Sequence, residues 1–139
     1  MEDNIELEKI WYDDNLIQLK IVCSSAIINV QAKIYVSNSL IDDLIHQLKS
    51  FIDGQINEGL WANETRGNDS PTCFSLRFLR KDNRGHVLIE VFLELDDGGN
   101  LEVHNCCFFI ETEYGLLSSF CQKLSSLKDR VIGLKVVLN

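Results

Sequence analysis

The sequence predicts an α+β fold, an antiparallel sheet of six to eight strands with two amphipathic helices packed on one face. Three observations carry this prediction. Apolar and polar residues alternate with period two over much of residues 5–36 and 72–111. Two segments, about 39–53 and 116–127, switch to the i, i+3, i+4 spacing of a helix with one apolar stripe. The connectors between strands are short and hairpin-like, which favours antiparallel pairing over strand–helix–strand crossovers. At 139 residues the chain has the length of one domain, 1–139, with room for a core that needs no staples.

The first unit runs over about residues 5–53. Ile5-Glu6-Leu7-Glu8-Lys9-Ile10 alternates loosely up to the turn cluster Asp13-Asp14-Asn15, and Leu16–Val22 reads as a second strand. Ile28, Val30, Ala32, Ile34 and Val36 then recur every second residue, with Asn29, Gln31 and Lys33 between them. Ser37-Asn38-Ser39 supplies N-cap candidates, and Leu40, Ile41, Leu44, Ile45, Leu48, Phe51 and Ile52 form the helical stripe. This places Asp42 and Asp43 in the first turn, where carboxylates favour the helix dipole, and Gly54 at the end.

The second unit covers about residues 59–128. A short strand around Gly59-Leu60-Trp61-Ala62 precedes the polar stretch Asn63–Pro71, read as an exposed loop. Three strands follow, with inward sets Phe74, Leu76 and Phe78; Val87, Ile89, Val91, Leu93 and Leu95; and Leu101, Val103, Asn105, Cys107 and Phe109. The connectors Lys81–Gly85 and Asp96–Asn100 are rich in turn residues. Pairing Leu95 with Leu101 keeps the apolar faces together, but sets Glu94 opposite Glu102 and buries the Asn105 amide. The first conflict calls for a counter-charge, for which Arg77 is the candidate; a bulge or a register slip removes the second. Thr112 is a cap candidate for a helix whose stripe is Leu116, Leu117, Phe120, Cys121, Leu124 and Leu127. Gly133 breaks the pattern, and residues 132–138 read as an edge strand in preference to a helical tail. The second stripe repeats the first 76 residues later, from a duplication or from two similar solutions to one packing problem.

Composition excludes several functions. The net charge is −8, which opposes a nucleic-acid ligand and an anionic membrane surface. No apolar run reaches membrane-spanning length, and the acidic opening Met1–Glu6 does not resemble a signal peptide, so a cytoplasmic location is expected. Five cysteines without a Cys-x-x-Cys pair, and three scattered histidines, favour reduced thiols packed as small apolar groups over a disulfide framework or a zinc site. Nucleotide-binding glycine motifs, a nucleophile elbow and a zinc-protease helix are absent from the sequence. Asp96-Asp97-Gly98-Gly99-Asn100 reads as a hairpin turn rather than a calcium loop. No enzyme activity and no cofactor are therefore expected.

Candidate binding residues fall on the outer sheet face. The expected register gathers Glu90, Phe92, Glu94, Glu102, His104, Cys106 and Phe108 there with Ser75 and Arg77, and places Asp96 and Asp97 at its end. Aromatics mixed with acids suit a protein partner, so Glu90, Phe92, Glu94, Glu102, His104, Asp96 and Asp97 are the candidate contacts. The alternative is that the N-terminal strands or a second subunit cover this face. His104 beside carboxylates, with Cys106 two residues on, is also a candidate acid–base or nucleophilic pair in a small-molecule-binding or weakly hydrolytic domain. Trp11-Tyr12 and Trp61 are further candidate anchors, and His46 a boundary residue.

The order of features over residues 16–128 resembles the WapI-type immunity proteins of bacteria. The likeness lies in a period-two strand entering the helix Leu40–Ile52, then Gly59-Leu60-Trp61, the strands Cys73–Phe78 and Gly85–Val91, and the closing helix Leu116–Leu127. The loop Asn63–Pro71 and the tail Val131–Asn139 are longer than this pattern has. The resemblance implies a cytoplasmic protein that binds and blocks a cognate toxin domain, typically a nuclease; the chain itself is expected to be a monomer or homodimer. An acidic chain complements a basic nuclease. A homo-oligomeric accessory protein is the third possibility.

Overall fold

In the computed structural model, eight strands divide between two sheets, and the two meander-plus-helix units separate accordingly. The structure describes residues 3–63, 72–96 and 103–139. Strands β1 (Asn4–Tyr12), β2 (Ile17–Ser24) and β3 (Asn29–Val36) precede helix α1 (Asn38–Ile52). Strands β4 (Glu58–Ala62), β5 (Thr72–Arg80), β6 (His86–Asp96) and β7 (Val103–Glu113) precede helix α2 (Tyr114–Lys123) and a 3-10 turn at Leu124–Lys128. Strand β8 (Lys135–Leu138) then returns to the first sheet. The orders are β3-β2-β1-β8 and β4-β5-β6-β7, and every pairing is antiparallel. This is the expected α+β class, with the N-terminal strands forming their own layer and the tail taking the strand conformation.

Local chemistry explains the element ends. The Asp13 carboxylate accepts from the N–H groups of Asn15 and Leu16 at 2.8 and 2.7 Å, which closes the β1–β2 turn and lowers its own pKa. Ser37 caps α1 by accepting from the Leu40 N–H at 3.2 Å. Since α1 begins at Asn38, Asp42 and Asp43 lie beyond its first turn, correcting the expected dipole role. Gly54, at φ +78°, leaves the helix in the left-handed region that a side chain disfavours. Thr112 is not a cap: it is buried at the end of β7, its hydroxyl donating to the Asn139 carbonyl at 3.2 Å, and Glu113 precedes α2 without a side-chain bond.

One apolar cluster joins both sheets and both helices. From the first sheet come Ile5, Leu7, Leu19, Ile21, Ile34 and Val136; from the second, Phe74, Leu76, Phe78, Ile89, Val91 and Ile110. The helices meet through their repeated stripes. Cys121 packs on the carbonyl of Ile45, so positions 76 residues apart in sequence are neighbours across the helix pair. Trp61 is core rather than anchor: its ring stands edge-on to Phe74, and its indole N–H donates to the Leu40 carbonyl at 2.8 Å. Trp61→Phe loses this bond and leaves part of the indole's space empty, so we expect a loss of about 1–3 kcal/mol in urea unfolding.

The largest fully buried side chain is a lysine. Lys9 faces inward between Leu7 and Leu19 at 1% exposure. Its ammonium donates to the Asp129 carbonyl and lies 4.5 Å from the centre of the Tyr12 ring. Its backbone bonds Leu134 and Gly133, at 3.0 and 2.8 Å, anchoring the segment that leads into β8. Burial lowers the Lys9 pKa, Asp129 raising it and Arg130 lowering it to lesser extents. A lysine whose folded pKa lies below its unfolded value binds fewer protons folded, so its contribution to stability rises with pH across that interval. Cys23, whose thiol burial pushes up to about 12, acts in the opposite sense above about pH 9. The pH slope of wild-type stability minus that of Lys9→Met therefore isolates the lysine. Denaturation from pH 7 to 10 is expected to give a positive difference.

Candidate partner-binding face

The outer face of the second sheet is a grid read from its registers. One row is Glu58–Leu79–Leu88–Glu111, the next Leu60–Arg77–Glu90–Phe109, then Ala62–Ser75–Phe92–Cys107, and last Cys73–Glu94–Asn105. Thus Glu90, Phe92, Glu94, Ser75 and Arg77 fall on one side of the sheet, as expected, but Phe92 and Ser75 are buried there, at 9% and 5% exposure, as is Cys73. His104, Cys106 and Phe108 do not join them, which corrects the expected grouping. Observed pairing sets Leu95 against His104 and Glu94 against Asn105, three residues away from the expected register. An odd shift turns the whole of β7 over. Phe108 is 6% exposed and in the core, while Phe109 is 48% exposed and on the outer face.

The physical reason lies in β7 itself. Cys106-Cys107 and Phe108-Phe109 offer a similar thiol and ring to either face. The observed register sends Asn105 to water, buries Ile110 opposite Ile89 and opposes Glu94 by an amide. It thereby removes both conflicts of the expected pairing. Of the other candidates, Asp96 is placed only through its backbone, opposite Val103, and Asp97 and Glu102 lie outside the described residues.

Arg77 orders the centre of the face. Its guanidinium donates to Glu90 at 2.8 Å and to Glu58 at 3.0 Å, and these two carboxylates raise its pKa further. With Glu94 opposite Asn105 the expected need for a counter-charge at Glu94 does not arise, and Arg77 serves Glu90 and Glu58 instead. Lys81 holds Glu111 at 2.8 Å. Such exposed pairs add little stability, but they fix where the charges stand. Among the described side chains the face carries Glu58, Glu90, Glu94 and Glu111 against Arg77 and Lys81. Leu60, 60% exposed, and Phe109 flank the Arg77–Glu90 pair at opposite edges of one row. Neither was singled out by sequence reasoning; the register, which alone faces them outward, is the missing signal.

The first sheet's outer face has the opposite character. Lys33, Lys20, Glu8 and Lys135 form one cross-strand row, and Trp11 stands edge-on to Tyr35 with ring centres 6.1 Å apart. Tyr12, by contrast, is occupied in holding the segment before β8, its hydroxyl donating to the Arg130 carbonyl at 3.4 Å. His46 is exposed on α1.

His104 and Cys106 line a separate cleft of about 260 Å³ between the sheets, together with Val30, Gln31, Leu93, Leu95 and Asn105. Its walls are largely apolar. Among the described residues, no three His, Cys, Asp or Glu side chains gather as metal ligands.

Fold and face together define an α+β protein with two antiparallel four-stranded sheets, one of which presents an acidic, partly apolar outer surface. No family model and no curated protein matches the chain. Among solved structures it is similar to a chain of the "CdiA-CT/CdiI toxin and immunity complex from Enterobacter cloacae", at 7% identity and a TM-score of 0.47, over 91% of this chain and 99% of that one.

Proposed function

We propose that this chain is a non-enzymatic, immunity-type protein that binds a cognate toxin domain and blocks it by occlusion, the toxin being a basic nuclease. The observation that carries this is the outer face of the second sheet, where exposed Leu60 and Phe109 stand among Glu58, Glu90, Glu94 and Glu111. Apolar anchors flanking acidic side chains are suited to a basic protein surface, supplying both contact area and steering. The net charge of −8 and the sequence resemblance to WapI-type immunity proteins support the same reading. Glu90 and Glu94 are contact residues in it. Co-production tests it. Cells making the toxin domain encoded beside this gene grow when the chain is present, and the purified pair co-elutes. Growth arrest despite abundant folded chain overturns the proposal.

A second reading, small-molecule binding, has its own observation in the 260 Å³ cleft that brings His104 and Cys106 together. Filling it through Cys106→Trp separates the two. The immunity reading expects protection to survive, and the small-molecule reading expects function to be lost.

A further inference from the structure

We infer that the outer face of the first sheet is a second docking surface, and that its occupant is the acidic face of another copy of this chain, joined head to tail. The inference shares with the proposed function only the acidic face as a protein-binding surface. Lys20 on β2 and Lys33 on β3 stand directly opposite each other. Like charges so placed cost stability unless something neutralises them. Among the described residues neither has a carboxylate within ion-pair reach, and the third lysine of the row, Lys135, turns to Glu6 at 3.7 Å. Two residues along β2, the adjoining row is Trp11–Gln18–Tyr35, with both rings exposed. On a chain of net charge −8, this face thus offers two lysines in need of an anion beside two rings in need of cover.

The second sheet's outer face carries the complement. Both sheets have four antiparallel strands, so their faces match in width. On the second, the row Leu60–Arg77–Glu90–Phe109 adjoins the row Glu58–Leu79–Leu88–Glu111. Each face therefore pairs a row bearing exposed apolar groups with a row bearing charge, of opposite sign on the two. Sheets packed face to face keep their strands within about 30° of each other. In that arrangement Trp11 and Tyr35 lie along Leu60 and Phe109, while Lys20 and Lys33 reach the neighbouring glutamates. Two basic faces together set lysine against lysine, and two acidic faces set glutamate against glutamate, so a two-fold dimer through either is opposed. A head-to-tail contact leaves one face open at each end and adds further copies unless it closes into a ring. The −8 on each copy opposes approach, but physiological salt screens it beyond about 8 Å, whereas the facing rows are in contact. A toxin domain on the acidic face ends such a chain.

Sedimentation equilibrium of the full chain tests this. The mean mass of wild type is expected to rise with concentration, past that of a dimer. Lys33→Glu with Tyr35→Ser is expected to weaken the association about tenfold or more. Because it sets opposite charges across β2 and β3, it is expected to melt no lower than Tyr35→Ser alone. Leu60→Lys with Phe109→Lys is expected to weaken association equally from the other face. Mixed in equal amounts, the two variants are expected to form a dimer and nothing larger, since each brings the face that the other has lost. Should the second variant misfold, Glu94→Lys takes its place. The cognate toxin domain is expected to break the wild-type assembly into one-to-one complexes. The inference is overturned if wild type stays monomeric, if either variant alone associates like wild type, if the mixed variants stay apart, or if Lys33→Glu with Tyr35→Ser no longer neutralises the toxin. A monomeric chain that binds a single-stranded oligonucleotide through Lys20 and Lys33 overturns it in favour of nucleic acid. Wild type that neutralises the toxin yet never associates removes self-association alone; wild type that associates and neutralises nothing removes the immunity reading alone.

Discussion

Replacing Phe51 with alanine is expected to cost about 3–5 kcal/mol, a large part of the 5–15 kcal/mol typical of a whole domain. Phe51 is fully buried at the end of α1. Its ring lies 6.2 Å from that of Phe78 on β5 and stacks at 5.8 Å on Tyr114 at the start of α2, with the Arg80 guanidinium 5.5 Å from its centre. Truncation therefore opens a cavity between the two units instead of thinning one of them. Urea unfolding should show a much lower midpoint. A loss below about 1 kcal/mol would mean that these elements close over the gap.

Reversing the character of the binding face should leave stability nearly intact and remove the partner. Leu60→Lys with Phe109→Lys places two cations on positions that are about half exposed or more, at opposite edges of the row through Arg77 and Glu90. Surface substitutions of this kind shift stability by about 0.5 kcal/mol or less. Losing two anchors and adding two like charges against a basic partner should cost at least about 2.8 kcal/mol, a hundredfold in Kd. Isothermal titration with the cognate toxin domain reads the affinity, and a thermal melt reads the fold. Unchanged affinity would assign binding to another surface, of which the Trp11–Tyr35 end of the first sheet is the nearest rival.

Much of the architecture was legible because periodicity reports burial directly. The stripe from Leu40 to Phe51, the alternation in β3, the inward sets of β5 and β6 and the tail strand all follow from which residues must avoid water. The division into two sheets was not legible, since β8 reaches β1 across the whole sequence and no local pattern names that partner. The face of β7 was misjudged for a different reason. Doublets of cysteine and phenylalanine make its two faces nearly equal, and the decision falls to Asn105, Glu94 and the span of the connector: residues 97–102 lie between Asp96 and Val103. The candidate site inherits that error. Glu90, Phe92 and Glu94 come from β6, whose orientation was plain, whereas His104 was assigned through β7.

Lys9 was hidden by its chemistry. In sequence it falls in phase with Ile5 and Leu7, on the apolar side of a loosely alternating strand where a charge is out of place, and it does point inward and holds the turn before β8. That placement affects the order in which the molecule assembles. Ile5 pairs with Leu138, 133 positions away by subtraction of their numbers. Closing a flexible loop of that size costs roughly 4 kcal/mol of chain entropy before any contact repays it. The neighbouring β1–β2 and β2–β3 hairpins carry no such debt, so they should form early and the β1–β8 seam late. Until the seam closes, β1 exposes a bare edge and the lysine keeps its water, making this junction the slow, aggregation-sensitive step of folding.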